Sequence, residues 1–162
     1  MAESFAVRWA NKERDLGIEE IASEMVAYGG IFLPSSAAPC GSFEAAAKPA
    51  HIHDVFGNPA DWTVSEQEYF TQFLVIGSDG AGNPFCVSTQ SGIVYLFDHE
   101  DRFKTQQFVN SSVEQLAECL LEYQGEESSS SFKASVSRID EEALSPGSFW
   151  DSEAMGLNSH VA

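Results

Sequence analysis

The sequence predicts a single α+β domain in which an antiparallel sheet is flanked by helices. Three observations carry this. Helical and extended hydrophobic periodicities occupy separate stretches in the order helix, strands, helix, and such segregation marks α+β rather than alternating α/β architecture. The strand-like runs are joined by short Gly/Asn/Ser turns that leave no room for a crossover helix. The chain has 162 residues, 43% of them hydrophobic, with 12 Phe, 3 Trp and 4 Tyr. That is the length of one domain, with enough apolar surface to offset the entropy of ordering it.

Taken in order, Gly17 to Tyr28 places Ile18, Ile21, Ala22, Met25 and Val26 at helical spacing and ends on Gly29-Gly30, which predicts an amphipathic helix with a glycine stop. Ile31 to Leu33 has strand composition. It stands at the head of a stretch, Ile31 to Trp62, that is broken by Pro34, Pro39, Pro49 and Pro59 and reads as ordered loop. Tyr69 to Ile76, Phe85 to Thr89 and Ile93 to Phe97 are β-branched and aromatic runs separated by turn residues, so they predict a three-stranded meander. A second helix is predicted from Ser112 to Gln124, with Ser111-Ser112-Val113-Glu114 as a capping box and Val113, Leu116, Ala117, Leu120 and Leu121 as its buried stripe. Gly125 to Ser131 is a low-complexity surface loop by composition. Two short helical pieces follow, one capped by Asp140 and ending before Pro146-Gly147, the other carrying Phe149, Trp150 and Leu157.

Charge narrows the function classes. Eight Lys+Arg against 25 Asp+Glu give a net charge of −17, so a nucleic-acid backbone or an anionic membrane surface is repelled. Such a field favours a basic protein partner, a cation, or simply solubility. Cys40, Cys86 and Cys119 are odd in number and lack C-x-x-C spacing, as reduced buried thiols would be. No basic n-region followed by an apolar stretch opens the chain, and the longest uncharged window, Met25 to Phe43, is interrupted by Gly and Pro. The expected location is cytoplasmic.

Candidate chemistry is sparse. Gly77-Ser78-Asp79-Gly80-Ala81-Gly82-Asn83 has the glycines of a phosphate loop, but it runs into the strand-like Pro84-Phe85-Cys86-Val87 instead of a helix, and hairpin geometry explains it better. His51, His53 and His99 are imaginable metal ligands, with the first two alternating along an extended segment, yet no H-E-x-x-H or Cys/His framework supports them. No Ser or Cys sits in a nucleophile motif. The expectation is no catalysis, no metal and no cofactor. What remains is acidic surface. Asp98, Glu100 and Asp101 cluster at a strand end, and Glu114, Glu118 and Glu122 repeat every fourth residue as a ridge opposite the buried stripe. Like charges at that spacing cost about 0.2–0.5 kcal/mol per pair. These six are the candidate partner-binding residues, against the plainer reading of a solvated helix face and strand end.

The ordered set Phe73-Leu74-Val75-Ile76-Gly77-Ser78-Asp79-Gly80, Gly82-Asn83-Pro84, Val94-Tyr95-Leu96-Phe97-Asp98-His99-Glu100 and Phe108-Val109-Asn110-Ser111-Ser112 resembles the SUKH superfamily, bacterial immunity proteins related to a yeast cell-wall-synthesis regulator. Ile139-Asp140 with Phe149-Trp150 is similar to a C-terminal feature of the same group. The resemblance implies a strongly bent antiparallel sheet with flanking helices, with a core over 17–124 and a helical extension over 132–158. It also implies no enzymatic activity, and stoichiometric neutralisation of a toxin domain of nuclease or nucleic-acid deaminase type. A basic toxin and an acidic immunity protein are electrostatic complements. The alternative is a regulatory scaffold for cell-wall or growth proteins, as in the fungal relatives.

Overall fold

The computed structural model describes residues 25–28, 31–34, 44–56, 62–79, 81–123 and 128–158. The first feature is a correction. Met25–Tyr28 is a strand, β1, paired antiparallel with β2 (Ile31–Pro34) through the register Tyr28↔Ile31. Met25 and Val26 fit a helical stripe or a strand equally well by composition, and pairing with β2 decides between the two. The rest of the helix expected from Gly17 lies outside the described residues.

The main sheet is five-stranded and antiparallel, with neighbours in chain order: β3 (Glu44–Ala50), β4 (Phe73–Ser78), β5 (Pro84–Ser88), β6 (Val94–Phe97) and β7 (Gln106–Asn110). The predicted meander is its centre. β3 replaces part of the expected loop; its Glu-Ala-Ala-Ala-Lys-Pro-Ala sequence lacks β-branched residues, and Pro49 is tolerated because β3 is an edge strand whose pairing with β4 is irregular between Ala45 and Ala50. Further register shifts lie between Val75 and Gly77 on β4 and between Val94 and Tyr95 on β6. Irregularities of this kind bend and twist a sheet.

Ile52–Val55 forms a single helical turn, α1, and Val64–Phe70 forms α2. Tyr69 and Phe70 therefore end a helix, where the sequence reading began a strand. Thr63 starts it: its hydroxyl accepts from the Glu66 amide at 3.1 Å while the Glu66 carboxylate accepts from the Thr63 amide at 3.1 Å, a complete capping box. After β7 come α3 (Val113–Glu122), α4 (Ser129–Ile139), a 3₁₀ turn (Glu141–Leu144) and α5 (Phe149–Asn158). The predicted stripe of α3 is buried throughout. Helix α4 starts at Ser129, inside the stretch read as a surface loop, and runs into the residues of the helical extension that the resemblance implies. Ser128 is its N-cap, accepting from the Ser131 amide, so the last serines of the supposed loop are the cap and first turn of a helix. Gly125 to Glu127 lie outside the described residues.

Alternation along the strands sends side chains to two separate cores. Ile76, Phe85, Val87, Val94, Leu96 and Val109 face α3, α4 and α5, whose Leu116, Leu120, Phe132, Val136 and Trp150 complete the larger core. Phe73, Val75, Cys86 and Phe97 face the other way, against Ile52, Trp62, Phe70 and Phe103. The sheet is thus covered on both faces.

The larger core contains a polar junction. Asn110, fully buried at the end of β7, donates to the Asp140 carboxylate at 3.1 Å and accepts from the Trp150 indole at 2.8 Å; its amide also lies 3.4 Å from Cys119 Sγ. Asp140 is 5% exposed and accepts in addition from the Ser111 amide at 2.7 Å and the Ser111 hydroxyl at 2.9 Å. Asp140 does precede the 3₁₀ turn, as expected, but its side chain makes no cap there. Asn110→Ala leaves the buried Trp150 indole N–H without a partner, at about 1–3 kcal/mol. It also removes one of the two donors to Asp140 Oδ2, a hydrogen bond to a charged group worth about 1.5–3 kcal/mol, so a loss of about 2–6 kcal/mol is expected in urea unfolding. Trp150→Phe, which removes only the indole donor and some packing, should cost less than that.

Candidate partner interface

The strand-end acids sit in the β6–β7 connection, residues 98–105. Asp98 accepts from the Glu100 amide at 2.8 Å through its carboxylate and from the Phe103 amide at 2.8 Å through its carbonyl. Asp101 accepts from the amides of Lys104 and Thr105 and from the Thr105 hydroxyl; that hydroxyl, foremost, holds the Asp101 carboxyl below the usual carboxylate range. Two of the three predicted residues are therefore engaged in shaping the loop, and Glu100 is left exposed. The shaping is tight enough to hold Arg102 and Phe103 at φ 59° and 65°, left-handed conformations that cost non-glycine residues about 1–3 kcal/mol each. As a result Phe103 turns inward, stacking on Trp62 with centroids 5.6 Å apart, and Arg102 stays at the surface.

Arg102 is held from two sides. Its guanidinium lies 5.4 Å from the Trp62 ring centroid and 3.2 Å from the Glu66 carboxylate on α2. The Glu66 carboxyl is held below its ordinary range by the Thr63 amide first and by Arg102 second. Between α2 and the loop opens a cleft of about 390 Å³ lined by Ser65, Tyr69, Phe70, Phe103, Lys104 and Gln106. Tyr69 and Val64, on the same helix, are 43% and 72% exposed. None of these residues was singled out from the sequence. Thr63-Val64-Ser65-Glu66 carried a legible capping-box signal; the left-handed Arg102-Phe103 pair carried none, because no glycine marks it.

The predicted ridge lies elsewhere. Helix α3 packs on the face of the sheet opposite to Trp62 and Phe103, so Glu114, Glu118 and Glu122 are not brought together with Asp98, Glu100 and Asp101. Glu114 is exposed, whereas Glu118 and Glu122 are half-buried and β2 passes near the helix. Glu114 is also not the cap acid. The N-cap is Ser112, which accepts from the Gln115 amide at 3.2 Å and donates to the Gln115 side chain, one residue later than the expected box; Ser111 is engaged with Asp140 instead.

The remaining candidates are structural. Asp79 accepts from the amides of Ala81 and Asn83 in the β4–β5 hairpin, where Gly82 has φ +88°, and Asn83 Oδ1 accepts from the His99 amide and lies 2.6 Å from His99 Nδ1. His51 and His53 lie on and beside α1, not on an extended segment, with rings stacked 5.4 Å apart. His51 is bonded to the Phe73 carbonyl, at the far end of β4 from His99, a separation of roughly 16 Å along the strand. His53 Nδ1 is buried without a partner. Among the described residues no three His, Cys, Asp or Glu gather as a metal site, and no helix is long and apolar enough to cross a membrane. Cys86 and Cys119 are free and buried; burial pushes the Cys119 thiol up to about 12 and raises that of Cys86 further, which leaves both unreactive as nucleophiles. Cys40 lies outside the described residues.

The depressed carboxyls set a pH dependence. A group whose folded pKa is lowered contributes stability above its unfolded pKa and loses it as pH falls through the folded one. Acidification below the usual carboxylate range should therefore release the Glu66–Arg102 clamp, changing Trp62 fluorescence; Glu66→Gln should abolish that transition and Trp62→Phe should remove the signal.

No curated protein and no solved structure matches the chain. A family model does: that of the SUKH-4 immunity proteins, over residues 32–155, about three quarters of the sequence. The match spans the hairpin turn, the 98–105 loop, the Asn110 junction and the helices that close on it, and by it the chain belongs to the SUKH-4 immunity protein family.

Proposed function

We propose that this protein is a cytoplasmic immunity protein that binds a basic toxin domain, of nuclease or nucleic-acid deaminase type, and neutralises it stoichiometrically, with no catalysis, metal or cofactor of its own. Family membership gives toxin immunity as the role. The observation that carries the finer reading is the net charge of −17. A toxin that grips nucleic acid presents a cationic surface, and an acidic inhibitor gains both steering and complementarity against it. The same charge disfavours nucleic acid or an anionic membrane as the partner. Glu100 and the ridge of Glu114, Glu118 and Glu122 are the steering charges, with Asp98 and Asp101 adding field while they hold the loop.

Co-expression with its cognate toxin domain should rescue growth, and the purified pair should form a one-to-one complex. Its association rate should fall steeply as salt shortens the Debye length from about 10 Å at 0.1 M. Neutralising Glu100, Glu114, Glu118 and Glu122 to Gln should slow association; the exposed Glu100 and Glu114 contribute little to stability, and the melting temperature is followed in parallel for the half-buried Glu118 and Glu122. Asp98 and Asp101 are poor choices for this test because their carboxylates accept backbone amides. An association rate indifferent to salt and to the four substitutions would assign the acidity to solubility alone.

A further inference from the structure

The cleft between α2 and the 98–105 loop has features that fold maintenance does not require. Helix α2 exposes Val64 at its first residue and, in the wall of the cleft, Tyr69, an aromatic at 43% exposure beside a floor formed by Phe70 and Phe103. Its rim holds an arginine already fixed in place. Arg102 is stacked over Trp62 and paired with Glu66, so much of the rotamer freedom that a contact would cost has been given up before any partner arrives. The backbone there is strained at two consecutive non-glycine residues, Arg102 and Phe103. Glycine at either position would join β6 to β7 without strain, whereas the Arg-Phe pair sets one side chain in the floor and the other on the rim. Retained strain of this kind clusters at binding sites. Tyr, Trp and Arg around a partly desolvated pocket are also the composition of interface hot spots.

The charge around the cleft says what fills it. The lining itself carries Glu66 against Arg102 and Lys104, with Glu66 paired to Arg102. The two elements that wall the cleft add the exposed Glu68 on α2 and Glu100 and Asp101 on the loop, so that acids outnumber bases across the two walls as they do in the whole chain. We propose that this cleft is the anchor pocket of the toxin interface: it takes one apolar or aromatic side chain of the basic toxin domain, whose flanking Lys or Arg residues meet Glu68 and Glu100. The proposal rests on the toxin-binding reading above and deepens it by assigning the contact to the α2 face. The α3 ridge, on the opposite face of the sheet, then acts on the encounter at a distance and makes no contact.

The test is surface-binding kinetics with the purified cognate toxin domain. Two variants address the cleft. Tyr69→Ala removes its exposed aromatic; Ser65→Trp fills it from an exposed helix position. Each should raise the dissociation rate at least about tenfold while changing association by less than about twofold, as loss of a hot spot does. Glu114→Gln, Glu118→Gln and Glu122→Gln together should leave dissociation at the native rate. Tyr69 also accepts from the Gln106 amide and packs on Phe70 and Phe73; if Tyr69→Ala lowers the melting temperature, Ser65→Trp decides alone. Native-rate dissociation of Ser65→Trp from a toxin that the native protein does bind overturns the anchor pocket and leaves the immunity reading standing. Failure of the native protein to bind overturns that reading, and the anchor with it.

Discussion

A buried carboxyl must be satisfied by hydrogen-bond donors, and much of this fold is arranged around meeting that demand at Asp140, whose donors among the described residues are neutral. Asn110 supplies one donor from the end of β7, and Ser111 supplies two from the turn that follows. The Trp150 indole, donating to the Asn110 oxygen, fixes which end of that amide faces Asp140. The junction therefore joins the last strand, the entry to α3, the exit of α4 and the start of α5 at one point. Each helix brings apolar surface to the larger core, but burial alone is non-directional; hydrogen bonds of this kind specify which arrangement of the helices is adopted.

Family motifs that are distant in sequence become one object in this light. The Phe-x-Asn-Ser-Ser segment and the C-terminal Asp140 and Trp150 are the two halves of the junction, and the Asp79 hairpin with Asn83 and His99 is a second, smaller clasp between neighbouring turns. Both sets of groups are bonded within the fold.

The strands β4 to β6 and the helix after Ser112 were legible because their signals are local: alternating or 3.6-period apolar residues bounded by turn residues. β3 was not, since an alanine-rich edge strand containing Pro49 has no intrinsic preference for the sheet, and its pairing with β4 decides its state. Residues 25–28 fit a helical stripe as well as a strand, and the strand across the glycine pair settled the matter. Tyr69 and Phe70 looked extended because aromatics favour strands, although the Thr63 capping box three to seven residues upstream outweighed them. Of the candidate site, the acids were visible as composition, but their separation onto two sides of the sheet was not, because alternation fixes a face only once the covering elements are known. The strained Arg102-Phe103 pair had no sequence mark at all.

A sheet covered on both faces also partitions the tolerance of the molecule to change. The Trp62–Phe103 cluster and the Asn110 junction share only the strands between them, so the stability effects of substitutions in one should add to those in the other without compounding them. An immunity protein must keep folding while its toxin drifts. Here substitutions around the aromatic cluster leave the Asn110 junction untouched, and the hydrogen-bonded half of the molecule continues to specify the same chain path.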